Sequence, residues 1–301
     1  MKSVLILMST YNGEKFLEQQ IDSILNQKNV DVSILIRDDG SKDGTIDILK
    51  KYKESNNNVD FICGNNINWM HSFWYLVNCA RGFDYYAFSD QDDIWDEDKL
   101  YKAVSYLNEY ENCPCIYCAN QRIINDNMEV INSTEEKVKI DDFKIQDFLV
   151  RGNLFRGCTE VWNNCLQEYI LNLKIDDIDE PHDAVIMLIC LCVGKVFKDN
   201  SDVMSYCQHN NNALGVQTRK DRIKFIFNNL MGKDGYKKPF STRLKKVKVY
   251  VNNDISEELK PYFKQVCEYD KTFINTIKLA LSSKYPNMTM KKRIQILLRK
   301  F

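Results

Sequence analysis

The feature that most constrains this chain is an alternation. Short, β-prone apolar runs at 4–8, 32–36, 59–63 and 85–89 take turns with segments of helical spacing. Residues 14–26 carry Phe16, Ile21, Ile24 and Leu25 at intervals that line one helix face, and 45–52 and 72–80 repeat the pattern. Strands that alternate with helices form a largely parallel sheet, because a parallel neighbour requires a crossover and the crossover helix then covers a sheet face. The expectation is an α/β fold, Rossmann-like, with a mostly parallel central sheet flanked by helices. With 301 residues, 44% of them hydrophobic, there is material for one large domain and an appendage.

The total charge is near zero, 41 basic against 42 acidic side chains, but it is unevenly placed. Divided at Gln217, the chain carries a net −15 before that point and +14 after it, an acidic body joined to a basic, mostly helical tail. Two domains are expected, 1–216 and 217–301, the second a C-terminal helical extension. The tail has the composition of helices that rest on anionic lipid, and equally that of a solvated face packed on the acidic body. It carries no nucleic-acid reading module, so nucleic acid is not expected as a partner.

Eleven cysteines lack the regular spacing of a secreted disulfide scaffold, which points to a reducing, cytoplasmic setting. Cys113, Cys115 and Cys118 have no paired Cys-x-x-Cys and no nearby histidine to complete a tetrahedral site. The apolar start is too short for a signal peptide and reads as a first strand. The longest apolar run, 184–193, falls well short of the ~20 residues that span a bilayer, so any membrane contact is expected to be peripheral, on the inner face.

Three polar clusters stand where the strands end, the place at which parallel α/β sheets bind ligands: Thr10-Tyr11-Asn12-Gly13, Asp38-Asp39-Gly40-Ser41 and Asp90-Gln91-Asp92-Asp93. Three carboxylates on one short loop repel one another unless a cation or donor groups compensate. Hard oxygen ligands suit Mg²⁺ or Mn²⁺, which fill their remaining positions with substrate phosphates and water, so a diphosphate is the natural partner. The alternative is a solvated loop that caps the next helix through Asp92 or Asp93. The second cluster either offers a carboxylate, Asp39 by preference, to a pyrimidine imide N–H or is only an Asx turn. The first is a strand-to-helix loop whose Tyr11 ring and backbone could flank a base. Asp183 opens an apolar helix and is either its N-cap or a partly desolvated base for an acceptor hydroxyl. His209, one of three histidines, lies in a polar loop, exposed or placed beside a diphosphate. Residues 120–142 turn polar and irregular, as a connection or flap over the site would.

Read together, these clusters resemble the family 2 glycosyltransferases of GT-A fold, and within them the bacterial rhamnosyltransferase-like members that build surface polysaccharides. The resemblance covers residues 3–216. It rests on Ser9-Thr10-Tyr11-Asn12-Gly13-Glu14, Gln20-Ile21-Asp22-Ser23-Ile24, Arg37-Asp38-Asp39-Gly40-Ser41, Phe88-Ser89-Asp90-Gln91-Asp92-Asp93-Ile94-Trp95, Gly157-Cys158-Thr159, His182-Asp183, and His209 with Asn212 and Gly215, seven segments in the family's order. It implies an inverting, metal-dependent transfer of a sugar, rhamnose as a first guess, from a UDP or dTDP donor to a hydroxyl of a glycan or lipid-linked acceptor. It further implies that Asp39 meets the base, with Thr10, Tyr11, Asn12 and Gln91 on the nucleotide-sugar. Asp90 would contact the ribose or the metal, Asp92 would ligate Mn²⁺ or Mg²⁺ and His209 would complete that site. Asp183 would be the catalytic base. Gly157 and Cys158 would line the acceptor side, with Trp95 offering its ring to a sugar.

Two departures from the family pattern stand out: Cys207 where a basic residue is common, and Glu160 where an apolar residue is common, a hint of a different acceptor. A sugar nucleotidyltransferase would need a glycine-rich, basic triphosphate loop that 9–15 does not supply. A non-catalytic binding module would be expected to have lost Asp90, Asp92 or Asp183, and all three are present.

Overall fold

The first strand is apolar on both faces: Val4 to Met8 are all buried, as a central strand covered on both sides requires. The computed structural model describes residues 1–125, 128–133, 156–173, 180–208, 240–251, 253–285, 288 and 290–298. The chain begins β1 (Ser3–Thr10), α1 (Leu17–Leu25), β2 (Asp31–Asp38), α2 (Thr45–Ser55), β3 (Val59–Cys63), α3 (Trp69–Cys79) and β4 (Tyr85–Ser89), the strand–helix alternation expected. It continues β5 (Asp93–Trp95), α4 (Lys99–Leu107), β6 (Cys115–Ile124), β7 (Val130–Ser133), β8 (Val161–Asn163), α5 (Asn164–Asn172), α6 (His182–Val193) and β9 (Lys195–Cys207).

Strand order is β3-β2-β1-β4-β8-β6-β9-β5, with β7 beside β6. The β3-β2-β1-β4 half is wholly parallel; β8 then runs antiparallel to β4 and β6, while β9 runs parallel to β6. Because β1 lies between β2 and β4, their carboxyl ends converge. Thr10 is level with Asp38, and Met8 with Ser89, which is where a doubly wound sheet reverses its winding and opens a ligand crevice. α1 buries Leu17, Ile21 and Ile24 in the same hydrophobic core as Val4, Ile6 and Met8 of β1 and Ile34 and Ile36 of β2, each apolar side chain contributing about 1.5–3 kcal/mol relative to exposure.

The polar stretch expected as a flap from residue 120 is instead the end of β6, hairpinned to β7; residues 134–142 lie outside the described residues. The reason is lateral satisfaction. Asn120 is buried yet donates to Asn200 O on β9 and accepts from the buried Lys198, so a polar sequence sits in a sheet interior. The thiols of Cys113, Cys115 and Cys118 turn to three different carbonyls, those of Pro114, Tyr110 and Phe197, and do not converge. None of the eleven cysteines, all of them among the described residues, is in a disulfide.

Contacts divide the chain into two compact units, Met1–Asp142 with Phe155–Cys190 and Gly194–Gln208, and the remainder. The latter holds the expected C-terminal helices: α7 (Phe240–Val251), α8 (Lys260–Cys267), α9 (Phe273–Ala280) and α10 (Met290–Leu297). Among the described residues no helix is long and apolar enough to cross a membrane.

Candidate active site

Two loops at the crevice are zipped together. Asn12, at φ 49°, donates its N–H to Ser41 Oγ and accepts from Lys42 N, both at 2.8 Å. Gly13 N donates to Thr45 Oγ1, and Gly44 N to Glu14 Oε2. A side chain replacing Gly13 would collide with Gln91, whose Oε1 would stand 2.4 Å from the new Cβ. The Gln91 amide is committed to this loop: Oε1 accepts from Thr10 Oγ1 (2.6 Å) and Tyr11 N (2.9 Å), and Nε2 donates to Tyr11 O. Thr10 and Gln91 thus hold Tyr11, whose ring is half exposed, rather than presenting free groups themselves.

The two aspartates after β2 divide their work. Asp38 is the turn former: its Oδ1 accepts from Gly40 N and Ser41 N and its Oδ2 from Ser41 Oγ, and Gly40 sits at φ 86°, which a side chain would resist. Asp39 is held differently. Its Oδ1 accepts from the buried Arg37 guanidinium and from Ile67 N at 2.8 Å, while its Oδ2 has no hydrogen bond among the described residues. Arg37 is fixed in turn by Asn65 O and Ser72 Oγ, so the carboxylate is aimed by a rigid cation.

At the end of β4 the acidic loop folds around a buried lysine. Asp90 and Asp92 are half-buried, whereas Asp93 enters β5 and is sealed. Burial first, then the charges of Asp92 and Asp183, push the Asp90 carboxyl up to about 7, and burial raises Asp93 as well. Lys99, fully buried at the start of α4, donates to Cys158 O and is lowered by burial to about 7. Its charge opposes the acids from below. Asp90, Asp93 and Cys158 place ligand atoms within 4.8 Å of one another; the Cys158 thiol is raised by burial and donates to Gln121 Oε1, so a hard cation here falls to the carboxylates. Trp95, expected to offer its ring to a sugar, is 4% exposed, with Lys99 Nζ 3.1 Å over the ring, a cation–π contact beneath the site.

Asp183 stands in the first turn of α6, its Oδ1 accepting from Ala184 N. Gly157 makes room for it: a Cβ there would lie 3.0 Å from Asp183 Cβ. Behind it, His182 is buried, stacked on Phe73 at 4.0 Å and edge-on to Phe88, and burial alone lowers its ring to about 3, so it is neutral. Glu160 is wholly buried, and among the described residues neither carboxyl oxygen has a hydrogen-bond partner. Burial, then the charge of Asp183, holds it well above the usual carboxylate range. Enclosed this way, Glu160 is closed to solvent. His209 lies outside the described residues.

Two residues packed beside these clusters escaped the sequence reading. Lys99 is a lone lysine closing a run of five acids from Asp92 to Asp98, where charge balance was a usable signal. Trp69 opens α3 after the asparagine-rich turn; it is 42% exposed with its ring 5.9 Å from that of His182, which puts an accessible aromatic face beside Asp183's neighbour. Its place follows from Asn68, at φ 69°, whose Oδ1 caps α3 by accepting from Met70 N and His71 N.

Comparison with known proteins bears on this geometry. The family model described as "Glycosyl transferase family 2" matches residues 5–183. The dTDP-rhamnosyl transferase RfbG of Shigella flexneri is 30% identical over 228 residues, 69% of this chain and 74% of that protein. A chondroitin synthase of Escherichia coli is 27% identical over 184 residues, which cover 58% of this chain and 26% of the synthase. Among solved structures, S. aureus TarS 1–349 in complex with UDP-GlcNAc matches with a TM-score of 0.61 at 15% identity, over 99% of this chain and 82% of that one. The mannosyltransferase PcManGT of Pyrobaculum calidifontis, in complex with GDP-Man and Mn²⁺, matches with a TM-score of 0.55 at 15% identity, over 98% and 74%. At such identities the two structures establish the GT-A-like fold.

Proposed function

The chain belongs to glycosyl transferase family 2, an enzyme that moves a sugar from a nucleotide-sugar, and from that premise we propose that it transfers rhamnose, with inversion, from a dTDP or UDP donor to a hydroxyl of a glycan or lipid-linked acceptor in cell-surface polysaccharide synthesis. The observation that carries the reading is the pairing of two acids from distant parts of the chain. The turn at Gly157-Cys158 links them: a ligand atom of Asp90, after β4, lies within 4.8 Å of the Cys158 thiol, and a Cβ on the adjoining Gly157 would stand 3.0 Å from Asp183 Cβ on α6, so a leaving diphosphate and an attacking hydroxyl can share one cleft. The rhamnosyl choice is supported by the relative from Shigella flexneri, a dTDP-rhamnosyl transferase.

In this reading Asp39 Oδ2 accepts the imide N–H of the base, and Tyr11, held by Gln91, lies along it. Asp90 and Asp92 would hold Mn²⁺ or Mg²⁺, with His209 as a further ligand. They fit: the loop concentrates hard oxygens whose mutual repulsion a divalent cation relieves, and unlike Asp93 they are open to the cleft. When bound, the cation neutralises charge on the leaving diphosphate. Asp183 takes the proton of the acceptor hydroxyl as that oxygen bonds to the anomeric carbon. The bond from that carbon to the diphosphate oxygen breaks, and the nucleoside diphosphate leaves with the electron pair. Gly157 and Cys158 line the acceptor side, and Trp69, rather than the buried Trp95, offers a ring to the sugar.

The test is release of nucleoside diphosphate from dTDP-rhamnose, UDP-GlcNAc and GDP-mannose, with wild type and Trp69→Ala. A preference for dTDP-rhamnose of at least about ten-fold in kcat/KM is expected, with a raised KM for the sugar substrate in Trp69→Ala. A preference for another donor overturns the rhamnosyl assignment, and an unchanged KM removes Trp69 from the site.

A further inference from the structure

The end of the chain combines two properties that rarely meet on a surface exposed to water. Residues 271–301 contain eight basic side chains and no acidic one. Within this stretch α9 exposes Phe273 (66%), Ile274 (63%) and, just past its end, Leu281 (71%). Helix α10 exposes Met290 (72%), with Ile294, Leu297 and Leu298 also exposed. Spacings of one and eight residues on the first helix, and of four, seven and eight on the second, each describe one face. These faces are not the ones that pack inward: Thr276, Leu279, Ala280 and Ile296 are buried instead. The helices are joined, since Arg293 donates to Ala280 O.

Soluble proteins rarely leave so much large apolar surface in water unless a partner covers it. Charge identifies the partner. Two copies meeting through this face would bring the exposed Lys278 and Lys284 of one against those of the other, with no acidic residue in 271–301 to pair them, which disfavours a symmetric dimer. Nucleic acid would satisfy the charge but leave the leucine, isoleucine and phenylalanine side chains without a function. The acids that precede the stretch in sequence leave Lys278 and Lys284 uncompensated, because Asp270 is paired with Lys245 and Glu268 with Lys271. Lys278 and Lys284, both exposed, flank the apolar residues as headgroup-contacting lysines do on interfacial helices.

We propose that α9 and α10 form a lipid-binding surface, with Phe273, Ile274, Leu281, Met290 and Ile294 inserted among the upper acyl chains of an anionic bilayer and the lysines at its phosphates. The surface would bring the enzyme to a membrane that carries a lipid-linked acceptor, the acceptor class of the reading above, but its test requires no catalysis.

The full chain is sedimented with vesicles of phosphatidylcholine alone and of phosphatidylcholine with phosphatidylglycerol, at low and high salt. Binding to the anionic vesicles only, weakened by salt, is expected. Phe273→Ser/Ile274→Ser/Leu281→Ser should lower the partition coefficient by at least about ten-fold while leaving the thermal midpoint and donor turnover unchanged, since all three side chains are already in solvent. Lys278→Gln/Lys284→Gln should lower it at low salt and not at high salt. Absence of binding to anionic vesicles at low salt, or serine variants that bind as wild type does, overturns the proposal. So does a self-association in analytical ultracentrifugation that the serine variants abolish, which would assign the face to a second copy.

Discussion

His182 and Asp183 are adjacent in sequence and opposite in setting. The histidine ring is buried among Phe73, Phe88 and Trp69 and kept neutral, its pKa lowered by burial to about 3 from an ordinary 6.5. The unfolded chain takes up a proton below pH 6.5 that the folded chain refuses, so the neutral ring's contribution to stability is fully present above pH 6.5 and is lost as pH falls towards 3. A wild-type thermal midpoint that drops on acidification through this window is therefore expected, with a shallower drop in His182→Phe. Equal slopes in scanning calorimetry would mean that His182 is not the group responsible. At this scale the sequence revealed types better than settings. Asp39 and Asp90 could be singled out because carboxylates at strand ends are visible in a linear string. That Asp38 is used up in a turn, that Trp95 lies under a lysine and that Glu160 is enclosed are facts about burial, which neighbours distant in sequence decide.

Elements carry the site through their ends and through one close approach. The turn Gly157–Thr159 presses against the first turn of α6, and glycine is what permits it, since a methyl group at 157 would stand 3.0 Å from Asp183 Cβ and 3.5 Å from His182 Nε2. Gly157→Ala is expected to shift the base rather than unfold the chain, lowering kcat by about ten- to a hundred-fold with donor affinity and thermal midpoint close to wild type. A kcat equal to that of wild type would show that the approach is not needed for catalysis. The first four strands and three helices were legible because their apolar periods are clean and unbroken. β9 was not, because Lys195, Lys198, Asp199 and Asp202 interrupt its apolar pattern; Lys198 is nonetheless buried, bound to Asn120 Oδ1 and Asp199 O. β8 was missed because three residues are too few to show a period.

Over the whole molecule, the acidic body and the basic tail read from the sequence differ in the side chains they supply. The body supplies carboxylates at the ends of β2 and β4 and at the start of α6; the tail supplies helices whose lysines outnumber their acids. Placing Asp183 within electrostatic reach of Asp90 requires the fold, since 93 positions separate them in the chain. The central claim is that these acids act as one catalytic set, Asp183 as base and Asp90 with Asp92 as the cation site. It is tested most directly by nucleoside diphosphate release from the preferred donor, in Mn²⁺ or EDTA, by wild type, Asp92→Ala and Asp183→Asn, with nucleotide binding followed in parallel. The account predicts turnover that EDTA and Asp92→Ala abolish, and a loss of about 10²–10⁴-fold in Asp183→Asn with nucleotide binding retained. Turnover that survives EDTA, or an Asp183→Asn variant as fast as wild type, would contradict it.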